Sequence, residues 1–479
     1  MIVNAQIQQN MRLEIKLGHR EKEYQVIPVQ TYGALLHRKI EHRQPYLEAM
    51  RIDTALTTVW QRLIPLDKKI FLVQTTQCEN YEYLLFFHSE FKSIHFLIYR
   101  IDLLDGSYQK DTVYNIIPFF PAEFKATRHG LLVGGYLKNL VPVVVFYDFA
   151  TKKTSILPGL FNEPGELQQI HVYPDQSFHI LISTEPRSRI KNMWLKYYDA
   201  NASIRKNVIL QTDPQFTLLN GRALKTPTES VIISGTYGYR STEYSSGLFI
   251  ARIDINGHQE IFFYPFYQLR NFFTYLKPRQ EQRLRQRIQR KAEKGKRSRL
   301  QYRLMVHELL ALNDQFILLG EAYYPVYKRD DRFNYGLAVS AYVPFIFDGY
   351  RYTHAVVIGF DRNGILKWDN SFEINDVKTF TLEQFVKMDY QKNRIALLYL
   401  FDNRIRSKFI QNEQVIEGKT YNSIKLSFEA EKPENDFDIK KLEHWYPGTF
   451  LAYGVQRPES RVMAPSRERY FFINKVAYH

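Results

Sequence analysis

Twelve basic residues crowd into one short stretch of this chain. Between positions 277 and 303 they are Lys277, Arg279, Arg283, Arg285, Arg287, Arg290, Lys291, Lys294, Lys296, Arg297, Arg299 and Arg303, opposed only by Glu281 and Glu293. That segment holds +10 of the +15 formal charge of all 479 residues, so the protein is basic in one place and not throughout. Charge at this density repels itself and opposes compactness. Two readings stand side by side: a solvated helical face, or a contact for a polyanion. The polyanion classes are anionic lipid or lipopolysaccharide, an acidic protein surface, and nucleic acid. Arg283, Arg287, Arg290, Lys291, Lys294, Lys296, Arg297 and Arg299 are the residues expected to make that contact. Leu284, Ile288 and Ala292 form a thin apolar stripe at i, i+4, i+8, too narrow for membrane insertion. Gly295 is expected to break the helix and Leu300 and Leu304 to resume it, which gives a basic helical hairpin within 267–305. Just upstream, Leu269, Phe272, Phe273 and Leu276 have the i, i+3, i+4, i+7 spacing of an amphipathic helix.

A second cluster is aromatic. Tyr323, Tyr324, Tyr327, Tyr335, Phe347 and Tyr350 sit close in sequence to Lys328, Arg329 and Arg351. Tyr and Arg are favoured where interfaces concentrate their binding energy, and they stack on sugars or bases. Such rings also fill local cores, and both roles stay open. Tyr324, Tyr327, Arg329 and Tyr335 are the candidate contacts, with Tyr239 and Arg240 as a shorter element expected on the same face.

The chemistry of catalysis leaves no linear mark. There is no His-Glu-x-x-His, no Gly-x-Ser-x-Gly and no Gly-rich phosphate loop. The 13 histidines lack ligand spacing. His129 reads as a turn residue and His354 as the start of a strand. Glu243, Asp330, Asp331 and Asp348 fall in long loops. The lone cysteine, Cys78, excludes an internal disulfide and a cysteine-built zinc site. No metal, no cofactor and no enzymatic activity are expected. No apolar run is long enough for a membrane-spanning helix.

The elements that must position these clusters are strands. Tyr and Phe number 34 each, a composition that leans β. An apolar run ending in aspartate and a turn recurs, most clearly at Phe249 to Gly257 and Val357 to Gly364. The aspartates fall at 102, 148, 199, 254 and 361, spaced by about one β-rich unit of fifty residues, the last interval holding an insertion. A period of this size predicts an all-β propeller. Seven four-stranded units can be placed, at 69–117, 124–157, 167–210, 218–266, 306–374, 385–428 and 441–479. Seven blades are therefore expected, with six and eight as the neighbouring solutions. The last unit lacks a strand. Arg12 to Leu17 is expected to complete it and so remove two free sheet edges. Residues 33–56 look helical or irregular. Gly134-Gly135-Tyr136, Ser234-Gly235-Thr236-Tyr237 and Gly320-Glu321-Ala322-Tyr323 place small residues where blades crowd at the axis.

Asp254 and Asp361 open Asp-x-Asn-Gly turns without the further oxygens of a calcium loop. Asp361-Arg362-Asn363-Gly364 with Trp368 resembles the structural Asp-box turn of sialidase-like propellers, without its leading serine. Together with the Tyr/Phe/Lys/Asn-rich units and Val3-Asn4-Ala5-Gln6, which has the spacing of a leader's cleavage site over 1–5, the chain resembles Bacteroidota cell-envelope β-propeller proteins. That resemblance implies a periplasmic or outer-membrane-associated scaffold in a larger complex, formed by residues 6–479. Two other readings stay open: a cytoplasmic nucleic-acid-binding propeller using the same basic insertion, and a glycan-binding or glycan-cleaving propeller, which needs carboxylates converging at one mouth of the channel.

Overall fold

The fold is given by a computed structural model that describes residues 7–18, 21–88, 95–114, 117–138, 140–160, 164–184, 191–239, 243–296, 298, 300–312, 314–329, 345–375, 377–391, 393–411, 414–425, 441–457 and 468–478. The leader-like residues 1–5, and Arg240, Arg297, Arg299 and Tyr335, lie outside them. The β-branched and aromatic runs form eight antiparallel sheets, each of four strands except one with two short additions. In chain order the sheets are blades 1 to 8, at 25–65, 70–114, 120–156, 165–209, 216–265, 303–379, 387–423 and 441–478. Within a blade the strands A to D run in sequence order from the inner edge outward. Blade 8 takes its outer strand from the other end of the chain: Ile7–Leu17 pairs with Arg469–Tyr478, with Leu13 opposite Ile473 and Ile15 opposite Phe471. The expected closure by the N-terminal strand is therefore present. Eight apolar clusters fill the eight junctions between neighbouring blades. The one joining blades 8 and 1 packs Leu17 and Tyr24 against Trp445, Leu451 and Phe471.

The ring thus has eight blades, which corrects the seven expected from the sequence. The added blade is the segment 33–56 with its flanks, expected to be helical or irregular. Its strands are Gln25–Pro28, Ala34–Ile40, Tyr46–Ile52 and Thr58–Pro65. Its sequence is rich in Ala, Leu, Glu and Met, which favour helix when nothing else decides. It also carries charges at core positions. Those charges are paired across the sheet: Arg38 stands opposite Glu48 in register and donates to it at 2.6 Å, and both side chains are over 90% buried. Glu21 and Gln61 bond the same pair, and the Arg38 guanidinium lies 4.4 Å from the Tyr24 ring centre.

The small residues of the B strands answer to the inner strand. That strand bulges between Pro121 and Glu123 in blade 3 and between Leu218 and Asn220 in blade 5. A Cβ on Gly135 would fall 1.9 Å from the Phe120 carbonyl oxygen, and one on Gly235 would fall 1.8 Å from that of Asn220. These glycines permit backbone approach, as close packing at the axis requires.

Alternation of strand direction gives the ring two unlike faces. The A–B and C–D turns lie on one, the B–C loops and D–A connections on the other. Each C–D aspartate caps its turn. Asp361 Oδ1 accepts the amides of Asn363 and Ile365, both at 2.9 Å, and Asp254 and Asp199 repeat the arrangement. Asp53 does the same in blade 1, accepting from Ala55 and Thr57. It stands one repeat before Asp102, so the aspartate period marks this blade in the sequence as well.

Buried carboxylates tie neighbouring blades. Asp389, on the inner strand of blade 7, accepts from His444 Nε2 (3.1 Å), the Gly448 amide (2.6 Å) and the Tyr478 hydroxyl (2.7 Å), all in blade 8. Burial alone would raise this carboxyl, but those bonds outweigh it and hold it below the usual carboxylate range. Its contribution is complete above the unfolded value of about 4 and is lost as pH falls through the lower folded value. Asp389→Ala is expected to lower stability by about 2–3 kcal/mol at neutral pH, because three donors lose their acceptor. The deficit should shrink towards acid in paired denaturant titrations; a deficit that does not change with pH would contradict this role.

Candidate docking face

The insertion between blades 5 and 6 is a D–A connection, so it lies on the B–C/D–A face. Residues 269–276, expected to be an amphipathic helix, form instead an irregular plug after the short 3-10 turn Phe266–Gln268. Phe266, Leu269, Phe272 and Phe273 are buried between Ile250 of blade 5 and Val356 and Ile358 of blade 6. The apolar spacing served burial, and the backbone is tied down by Asp369, which accepts the amides of Arg270 (2.9 Å) and Asn271 (2.7 Å). Tyr275 then stacks on the buried His354 ring at 3.7 Å and 4°. Burial drives the His354 pKa down to about 3, so the imidazole is neutral and packed.

One helix follows, α1, Pro278–Glu293. Proline at its first position suits the start of a helix. Gly295, with φ +63°, ends it in a Schellman motif: the Lys296 amide bonds the Lys291 carbonyl and the Gly295 amide bonds that of Ala292. Gly295 breaks the helix as expected. The expected second helix is absent, and with it the hairpin: the chain beyond Leu300 joins the sheet through Tyr302, which pairs with Ser245, and strand Arg303–Val306. Leu304 packs in the core from that strand.

α1 is held by one side. Leu284 and Ile288 pack on the junction of blades 5 and 6, and Arg285 lies 5.3 Å from the Phe273 ring centre while bonding Glu281. On the other side Arg283, Arg287, Arg290, Lys291 and Lys294 fall at i, i+4, i+7, i+8 and i+11. With Gln286 they line a shallow groove of about 320 Å³. Among the described residues no carboxylate pairs with any of the five. Lys296 is exposed just beyond the helix. A rise of 1.5 Å per residue gives the cationic stripe a length of about 16 Å.

The aromatic cluster is a strand extension. Strands Gln315–Arg329 and Phe345–Asp361 continue past the blade as a B–C hairpin. Bulges follow Ala322 and Val326 and bend it. Tyr352 is buried and Tyr323 and Tyr350 are half-buried, so part of the cluster fills a local core. Tyr324 is exposed, and Tyr327, 56% exposed, packs its ring 5.9 Å from that of Phe347. Arg329 pairs with Phe345 at the last described rung. Asp348, placed by its sequence in a loop, lies in this strand and binds Lys328 and Lys378, each at 3.1 Å. Those two lysines hold its carboxyl below the usual range. Glu243 pairs with Arg303. Tyr239 takes a different role from the one expected: its half-buried ring packs with Phe216 (5.5 Å) and Tyr237 (5.9 Å) inside blade 5.

The connection that braces this hairpin was missed in the sequence. Lys378–Thr379 pairs with Tyr350 and Arg351, and the adjoining Phe380 is 70% exposed. Lys378-Thr379-Phe380-Thr381-Leu382 alternates like any half-buried strand, so nothing in it marks Phe380 as outward. Towards the axis, Glu308 of blade 6 contacts Gln169 of blade 4 and Arg222 of blade 5. Glu123 of blade 3 lies in the field of Lys125, Arg222 and Glu308, and burial, foremost, raises its carboxyl. Among the described residues no group of three or more His, Cys, Asp or Glu could hold a metal ion, and no helix is long and apolar enough to cross a membrane.

These features define the protein's class: a single β-propeller of eight blades with one helix-bearing insertion. No family model and no curated protein matches the chain. Solved propellers resemble it loosely. The WD40 domain of SCAP from fission yeast aligns over 98% of this chain and 98% of its own, at 10% identity and a TM-score of 0.44. The periplasmic gluconolactonase PpgL of Pseudomonas aeruginosa aligns over 84% and 96%, at 10% identity and 0.42. The β-propeller domain of the Trilobed protease from Pyrococcus furiosus aligns over 81% and 92%, at 7% identity and 0.39.

Proposed function

We propose that this protein is a non-enzymatic interaction propeller whose B–C/D–A face at blades 5 and 6 docks an anionic macromolecular partner. One observation carries the reading: five cations share one side of a helix whose other side is pinned to the core, and among the described residues no carboxylate pairs with them. Opposed charges would be neutral locally; unopposed ones attract a polyanion and speed its encounter. The exposed Tyr324, Tyr327 and Phe380, from the B–C hairpin of blade 6 and the connection that follows it on the same face, add the ring contacts that interfaces favour. The setting we propose is the bacterial cell envelope, on the resemblance drawn from the aspartate turns and the Tyr/Phe/Lys/Asn-rich units.

Replacing the whole insertion would strip the buried Leu269, Phe272 and Phe273 from the junction of blades 5 and 6, so the test must keep the plug and the helix. The variant R283Q/R287Q/R290Q/K291Q/K294Q removes charge and keeps Leu284 and Ile288. It is expected to melt like the wild type and to lose at least about tenfold in retention on an immobilised polyanion such as heparin, with the loss vanishing in high salt. Equal retention of both proteins at low salt would refute the docking role of α1.

A further inference from the structure

We infer that the partner of this face is an anionic phospholipid surface, and that the ring seats on it with the B–C/D–A face down. The inference rests on the docking reading and narrows it to one occupant. Three observations converge. The first is the charge complementarity of the α1 stripe. The second is the placement of exposed rings. Phe380 and Tyr327 belong to blade 6 and its connection, while Phe71 (48% exposed) and Phe120 (55%) begin the inner strands of blades 2 and 3. Inner strands begin on the B–C/D–A face, so all four rings share it. Blades 2 and 6 are four apart in a closed ring of eight, on opposite sides of the axis. A partner that touches α1 and both aromatic groups must be broad and nearly flat, and a bilayer is. Phe and Tyr suit the headgroup level, where an apolar ring meets water. The third is the opposite face, where Asp53, Asp102, Asp148, Asp199, Asp254 and Asp361 sit at the C–D turns. Asp199 and Asp361 are paired there with Arg205 and Lys367, so that face has no unopposed cationic stripe like that of α1 among these turns, and the inverted orientation gains less on an anionic surface.

The helix is a surface contact and not an inserting one, since Leu284 and Ile288 are turned to the core. Binding therefore depends on the cations first, each contributing about fivefold near a charged leaflet, and on the rings second.

The test is co-sedimentation of the full chain with phosphatidylcholine vesicles, with and without phosphatidylglycerol. The wild type should bind only the anionic vesicles and release in high salt. The five-residue glutamine variant should bind at least about 100-fold more weakly. Y327S/F380S should weaken binding while leaving its salt dependence in place. Wild-type indifference to phosphatidylglycerol, or equal binding by the glutamine variant, overturns the inference. So does retention of duplex DNA in place of vesicles. If heparin retention depends on the five cations and vesicles are ignored, the lipid inference fails alone; if neither depends on them, the docking reading falls with it.

Discussion

Removing residues 7–18 is expected to open the ring and to cost more stability than any single substitution. Strand Ile7–Leu17 supplies the outer edge of blade 8, and Leu13, Ile15 and Leu17 help fill the junction with blade 1. At about 1 kcal/mol net per backbone hydrogen bond and about 1.5–3 kcal/mol for a buried leucine, the loss is on the order of 5–10 kcal/mol. That approaches the whole stability of a typical domain. It also bares strand Arg469–Tyr478 along its length, and an unpaired edge invites association between copies. The truncated chain should melt well below the wild type and elute as oligomers, and a peptide of residues 7–17 supplied in trans should restore the monomer. An unchanged melt would mean that the apolar junctions hold the ring without this strand.

The second large effect lies in blade 1. Arg38→Met should destabilise by about 3–5 kcal/mol, because it leaves the buried Glu48 carboxylate without its cationic partner. The paired change Arg38→Met with Glu48→Leu should recover most of that loss, since apolar residues of similar volume replace a buried ion pair at little cost. Denaturant unfolding of the four proteins in the cycle reads the coupling directly. Additive effects would show that the two charges do not depend on each other.

That pair also shows where the sequence stopped being readable. The β class, the repeat, the capped aspartate turns, the closing strand and the isolated basic insertion all follow from local signals: composition, spacing, and one strand too few at the C-terminus. Each is decided within a few residues of chain, by turn chemistry or by the charge of neighbours. Blade 1 is different. Arg38 and Glu48 look like surface residues until the sheet sets them face to face, and a strand with charges at its core positions loses its alternation. Asp53 kept the period and could have placed the blade. The insertion shows the same limit. Leu269, Phe272, Phe273 and Leu276 have helical spacing, yet the groove between blades 5 and 6 takes their side chains without a helix, since burial and the Asp369 bonds determine the backbone there. Leu304 had the spacing of a second helix and became a strand because the inner edge of blade 6 was open to it. The order of residues alone established that this protein carries most of its net charge in one segment. Only the tertiary structure decided that five of those charges face outward together, because that depends on which side of α1 the neighbouring blades bury.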